Sequence, residues 1–465
     1  VVVIEESVLK SKKMGAIFRV ETRKSTRHHY NARFAMPYTL TPLEKTFDLE
    51  IESLDELKGR VDVPDRWILN FGPQHPATHT TLRLVLELDG ERIVRATPHI
   101  GYLHSGFEKL AEHQDYNQWV CTTSRMDYVS PIVNNIAWHH AVEKLLDIDL
   151  TPRCKVIRTI LGELGRIQNH LLCVGAAALD LGALTGFLYG FNEREHIYDI
   201  MDYISGHRFH PDYTRVGGLM YDLPCEETFQ KMVHNFTDVR MPKSIGDIES
   251  LLNTNRIFVD RVEGIGTISK EEATAWSLTG PLARASGVTR DLRKDDPYLC
   301  FEDNWDGQGA QSVDFKVPIA TTGDCLARYY VRLEDIRQSC HIIAQLIDDI
   351  PGGPVNASPS GNISMPDKDA IYTSIEGTIQ QFEMVMPNCG FESPVGECYG
   401  AIEGANGEMG FFIVSAGGVH PWRVAPRPCS FINFQSFPKM FEGHQLADLV
   451  AVLGSLNIIA AELDR

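Results

Sequence analysis

No two cysteines in this chain stand close together. The ten, from Cys121 to Cys429, are scattered, and none forms a C-x-x-C pair. That argues against a zinc ribbon or a thiolate-held cluster. Scattered thiols in a long chain also fit a reducing compartment better than a disulfide framework. Positive charge is scarce: 44 Lys and Arg face 62 Asp and Glu, a net charge of −18. Nucleic acid would demand a basic face, so that partner class is set aside. Internal repeats are lacking as well, which removes solenoid architectures. Long uncharged apolar runs are almost lacking. Residues 171–191 carry one charge, Asp180, but also four glycines and a charged run, Glu193–Arg194–Glu195, straight after. They read as a buried helix of a bundle rather than a membrane span.

What is present is a chain of 465 residues with 43% hydrophobic and 23% charged content, enough for two or three folded domains. The pattern predicts four parts: an arm over 1–60, a small α/β part with a functional loop over 61–120, a helical bundle over 121–350, and a mixed α/β part over 351–465. Residues 1–35 are basic, with eight Lys and Arg against three Glu, and begin at Val1. That pattern fits a processed import segment, or an arm lying on a neighbour. Within residues 1–60 only Phe47–Ile51 suggests a strand. Residues 67–71 read as a strand. Leu82, Leu84, Leu86 and Leu88 alternate, and Asp89–Gly90 is a turn signal, so a hairpin follows. Ile157, Ile160, Leu161, Leu164, Ile167 and Leu171 lie on one helical face. Ser269 and Glu272 form a capping box. Residues 325–350 predict another helix, 351–366 a linker, Gly410–Val414 a strand and Leu446–Ala461 a closing helix.

Several groups could carry chemistry. Gly72–Pro73–Gln74–His75–Pro76–Ala77–Thr78–His79 puts two histidines in a constrained loop. Either could donate a proton, or simply cap backbone groups. Asp180, placed within apolar sequence, must be paired, protonated or solvated. Arg125–Met126–Asp127–Tyr128–Val129–Ser130 reads by itself as a helix start. His207–Arg208–Phe209–His210 with Arg215 reads as a basic loop end. Glu163 and Arg166 stand three apart, as an ion pair would. His139 and His140 read as plain helix residues.

Taken together, GPQHPATH, PHIGYLHSGFEK, SRMDYVS, ILGELGRIQNH, ALDLGALT, SGHRFHPDYTRVGG and AELDR resemble the 49-kilodalton subunit family of respiratory complex I over residues 65–465. That family is related to nickel–iron hydrogenase large subunits. The resemblance implies an α+β fold of that kind, with a central helical bundle, a small N-terminal β/α part and a mixed C-terminal part. Hydrogenases hold nickel and iron through two pairs of thiolates. Here Asp127 and Ser130 stand where the first pair would be, and Asp464–Arg465 is reached where the second motif would begin. No metal is therefore expected on this chain, and a metalloenzyme or a bare scaffold are the competing readings.

The resemblance also implies roles. Tyr128 and His79 would bond the two carbonyls of ubiquinone and supply its protons, with Asp180 as the acidic partner of His79. Arg125 and His210 would lie near a 4Fe-4S cluster held by an adjacent small subunit. His75, Asp127 and Ser130 would line the pocket or its loop. Partners would be that iron–sulfur subunit, the other peripheral-arm subunits, and membrane-arm subunits at the quinone entry. The expected place is the matrix side of the mitochondrial inner membrane, or else the cytoplasmic face of a bacterial plasma membrane. One departure stands out: Ser105 occupies the position of the family's usual arginine. Its loss removes a positive charge expected near the cluster.

Overall fold

The computed structural model describes residues 66–78, 81–357, 363, 365–366, 368–386 and 389–465, plus the strand backbones of Phe18–Thr22 and Tyr38–Pro42. The chain divides into two units, Val1–Ile68 and Leu69–Arg465. In the first, Phe18–Thr22 pairs antiparallel with Tyr38–Pro42. The strand expected at Phe47–Ile51 lies outside the described residues.

The second unit mixes helix and sheet, as an α+β chain should. Strands β1 (Arg66–Phe71), β2 (Arg83–Asp89) and β3 (Arg92–His99) form one sheet in that order. The hairpin turns at Asp89–Gly90, where Gly90 has φ +60°, a conformation that favours glycine. Leu84, Leu86 and Leu88 are buried as their alternation predicts.

A second antiparallel sheet holds β4 (Ser393–Gly404), β5 (Gly407–Gly418) and β6 (Arg423–Arg427), with β5 central. The strand expected over Gly410–Val414 is thus the middle of a longer one. Helix α1 (Pro131–Leu146) packs on this sheet. The approach is so close that a Cβ on Gly400 of β4 would meet the Ala141 Cα at 2.5 Å.

The axis of the unit is α2 (Pro152–Asp180). Its six predicted apolar positions, Ile157 to Leu171, are all buried. Helices α3 (Leu184–Ser205), α4 (Cys325–Leu346) and α1 pack around it. The later part of the unit adds α5 (Ile375–Val385), α6 (Leu446–Leu456) and α7 (Ala460–Asp464). The capping box at Ser269 and Glu272 is formed, each side chain meeting the other's backbone N–H.

Two expectations are corrected. Residues 171–191 are not one buried helix. The run breaks after Asp180, Gly182 takes φ +91°, and α3 restarts at Leu184. Leu179, Leu184, Leu188 and Tyr189 are exposed at this corner. No helix among the described residues is long and apolar enough to cross a membrane. The closing helix is also broken. Asn457 takes φ +54° and ends α6, and α7 follows. Asparagine tolerates that left-handed turn because its short amide can bond locally.

Candidate functional site

The GPQHPATH loop is shaped by its backbone. Gly72 has φ +86°, and a Cβ there would meet the Leu82 carbonyl oxygen at 2.2 Å, so only glycine fits. The Thr78 hydroxyl donates to the carbonyls of Pro73 (3.2 Å) and His75 (3.0 Å). The His75 ring lies 4.1 Å from that of Phe71, tilted by 37°, and its Nδ1 accepts the Ala77 N–H at 3.2 Å. His79 lies outside the described residues. Beneath the loop, Thr78, Thr81 and Leu82 face Leu453, Ile458 and Leu463 of the C-terminal segment.

Asp180 is not at a helix centre, as its place in apolar sequence suggested. It is the last residue of α2, half-buried, with its Oδ2 turned towards Gly454 of α6. The partial negative charge of a helix C-terminus disfavours a carboxylate there unless a cation stands by.

The Arg125–Ser130 segment leads into α1. Pro131 takes the first helical position, where its missing N–H costs nothing. Ser130 sits at the N-cap but does not cap the helix. Its hydroxyl donates instead to Asp127 Oδ2 at 2.5 Å. Asp127 Oδ1 accepts the N–H groups of Val129 (3.0 Å) and Ser130 (3.3 Å). Asn169 of α2 donates to Asp127 Oδ2 and to Ser130 Oγ, each at 3.1 Å. Asn457 then donates to Asn169 (2.6 Å) and to Asn406 (2.8 Å). Burial pushes the Asp127 carboxyl up, against the pull of these donors. Tyr128 is half-buried beside it. Burial first, and then the Asp127 charge, raise its phenol.

Glu462 of α7 is the second carboxyl of this region. It accepts from Ser430 Oγ at 2.7 Å and from the Cys429 N–H. Burial, and next Asp127, raise it to about 7. Two acids in one dry interior resist ionising together. The buried Arg194 guanidinium, 4.9 Å from Phe191 and 5.5 Å from Tyr198, is a cation felt by Asp127.

Arg125 and His210 are brought together. Arg125 is exposed and donates to Ser124 Oγ at 3.0 Å and to the Cys121 carbonyl. Burial, and then Arg125, hold the His210 imidazole below its usual range. The buried Nδ1 of His210 has no hydrogen-bond partner among the described residues.

The C-terminal segment is the meeting point, and sequence reasoning missed it. Leu453 underlies the loop, Gly454 faces Asp180, Asn457 holds Asn169, and Glu462 acts on Asp127. Asp464 accepts the N–H groups of Gly101 (2.8 Å) and Leu103 (2.6 Å), tying PHIGYLHSGFEK to AELDR. The one signal was acidic and amide side chains, Asn457 and Glu462, inside an apolar ending.

Beneath lies a buried ionic cluster. Arg166 meets Glu163 at 3.1 Å, the ion pair the spacing predicts. Arg284 binds Asp291 (2.5 Å) and Asp335 (2.7 Å), and Arg293 binds Asp291 (2.8 Å), Glu163 and Asp335 (each 3.3 Å). His170 reaches Asp335 at 3.3 Å. Among the described residues, no three His, Cys, Asp or Glu side chains are arranged to hold a metal ion.

Comparison with known proteins agrees with the resemblance. The family described as respiratory-chain NADH dehydrogenase, 49 Kd subunit, matches residues 180–465. The D subunit of the NADH-quinone oxidoreductase of Methylacidiphilum infernorum is 47% identical over 402 residues, 86% of this chain and 92% of the relative. Its counterpart in Geotalea uraniireducens is 46% identical over 85% of this chain and 98% of its own length. The second D-type polypeptide of the same oxidoreductase in Rhizobium etli is 44% identical over 90% of this chain and all of its own. These relatives are bacterial and lend no support to a mitochondrial location. The chain belongs to the 49 Kd subunit family of the respiratory-chain NADH dehydrogenase, and so is one component of an oxidoreductase complex.

Proposed function

We propose that this chain forms the quinone-reduction site of a proton-pumping NADH:quinone oxidoreductase, together with an adjacent subunit that carries a 4Fe-4S cluster. The observation that carries the reading is the Asp127–Tyr128–Ser130 turn. Asp127 and Ser130 are bonded to each other and to Asn169, while Tyr128 stands half-buried beside them. Oxygen donors tied up in this way suit an organic headgroup, not nickel and iron.

Reduction of a quinone to a quinol takes two electrons and two protons. The electrons come from the partner's cluster. This chain supplies the protons, one from the Tyr128 phenol and one from the His79 imidazolium. Asp180 favours the charged imidazole. Arg125 and His210 face the cluster, where positive charge and a proton acceptor stabilise its reduced form. The membrane-arm subunits lie at the quinone entry, on the cytoplasmic face of a bacterial plasma membrane.

The test is Tyr128→Phe in the intact complex. Quinone reduction falls about 100-fold, while NADH oxidation by an artificial acceptor upstream is unchanged. Unaltered quinone reduction would remove Tyr128 from the headgroup.

A further inference from the structure

Two arginines of α4 lie in the interior without an acid. Arg328 and Arg332 are 0% and 2% exposed, and they stand one turn apart on one face of the helix. Among the described residues neither forms an ion pair. Arg328 is held by oxygens: it donates to Ser455 Oγ and to the Gly323 carbonyl, each at 2.9 Å, and to the Gly266 carbonyl. Arg332 has far less. Its Nη1 reaches the Arg328 carbonyl at 3.5 Å, and its buried Nε has no partner among the described residues. A guanidinium keeps its charge in a protein and offers five N–H donors. A dry interior tolerates such a charge only when something pairs with it.

Arg332 lines a cavity of about 20 Å³ between α2, α4, α6 and the helix Arg256–Val262. Cys173, Phe258, Cys325, Tyr329 and Ser455 belong to the same wall. Their polar hydrogens are committed elsewhere. Cys173 Sγ donates to the Gly454 carbonyl at 3.6 Å and Cys325 Sγ to the Ala451 carbonyl at 3.7 Å. The Tyr329 hydroxyl donates to Asn253 at 3.0 Å, and that of Ser455 to the Val452 carbonyl at 2.7 Å. The guanidinium is therefore the donor left to face the space. The volume admits a particle of about water size, which excludes phosphate and sulfate. Water itself fits poorly. It needs several polar partners, its own hydrogens would meet mostly thiol, ring and methyl, and it would leave the charge unpaired.

An acceptor that brings one negative charge and no hydrogens meets both conditions. We infer that this cavity binds a single monovalent anion of halide size, bonded to the Arg332 guanidinium and held by the charge of Arg328 one turn away. The ion relieves the repulsion between the two cations. Because Arg328 also bonds Ser455, it braces α6 against α4. The site uses none of the residues assigned to quinone, and its test does not depend on them.

The experiment uses the intact complex in sodium chloride, sodium bromide or chloride-free sodium gluconate at one ionic strength, with amide hydrogen exchange read by peptide mass spectrometry. In either halide the peptides of α4 around Arg328 and Arg332, and those of α6, exchange about tenfold more slowly than in gluconate, the protection given by an ion at about ten times its Kd. Peptides of α1 exchange alike in all three salts. In Arg332→Met the halide effect is lost. The same variant is better protected than the native chain in gluconate, because a well-packed apolar side chain replaces an unpaired buried charge. Native rates equal in the three salts would overturn the inference, whether water or a carboxylate from a neighbouring segment fills the space. A variant that still responds to halide would place the ion elsewhere and overturn it too. Crystals of the native complex in bromide supply a measurement that needs no variant: an anomalous peak beside Arg332 is expected, and its absence would overturn the site.

Discussion

Two buried regions of this molecule are both rich in carboxyl groups, and they settle into opposite states. Around Asp335, acids meet arginines. Burial alone would raise Asp335, yet Arg284, His170 and Arg293 outweigh it and hold the carboxyl well below its usual range. Asp291 is drawn to about 2 by Arg293 and Arg284, again against burial. Around Asp127 the donors are amides and hydroxyls. There burial prevails, and Glu462 rises to about 7. Burial is common to both regions; the donor type decides whether an acid becomes a fixed charge or a proton holder. The ionic cluster contains its own check. Its carboxyls are Glu163, Asp291, Asp335 and Glu403, and the guanidiniums beside them are Arg166, Arg284 and Arg293. The surplus acid is Glu403, which burial and then Asp291 raise to about 7.

Breaking the ionic side gives the largest effect. Arg284→Met removes one of the two guanidiniums that Asp335 and Asp291 share, breaks two buried ion pairs and costs about 3–5 kcal/mol, read as a lower melting temperature of the complex. A loss no greater than a surface substitution would put these acids outside the dry core. Next comes Glu462→Gln. The native acid ionises near 4.5 when unfolded and near 7 when folded. Below pH 4.5 both states are protonated and nothing is lost. Between those values only the unfolded state ionises, so native stability declines as pH rises, and the deficit is constant above about pH 7. Glutamine has no such deficit. The variant therefore gains on the native chain from about pH 4.5 to 7, by on the order of 3 kcal/mol. Parallel melting curves across that range would deny Glu462 its proton.

Ser130→Ala sharpens the other side. Losing the 2.5 Å donor to Asp127 costs about 1–3 kcal/mol and raises the Asp127 carboxyl further. Because Ser130 does not cap α1, helix content by circular dichroism stays unchanged. The smallest effect is a control outside both regions. Ser269→Ala removes one capping box and costs about 1 kcal/mol, with no change in pH dependence.

Periodic structure was legible and long-range pairing was not. The buried face of α2 and the hairpin at Asp89–Gly90 follow from local spacing, and the capping box at Ser269 is written in four residues. The corner after Asp180 was missed because apolar residues continue through Gly182, so hydropathy hides a turn that one glycine makes. The break at Asn457 was missed for the same reason. Tyr128, Asp127 and Ser130 were reached through family likeness. By themselves they read as a helix start, since Asn169, Asn457 and Glu462, which give them meaning, arrive from distant parts of the chain.

The start of α1 has one more consequence. Its 16 residues span about 24 Å, and their aligned peptide dipoles put a partial positive charge at Ser130, two residues after Tyr128. Burial makes the phenol reluctant to lose its proton, while this end of the helix welcomes the anion that would result. The two influences oppose each other at the start of α1. An anion at this turn would be felt by the dipole of a whole helix braced on the β4–β5 sheet.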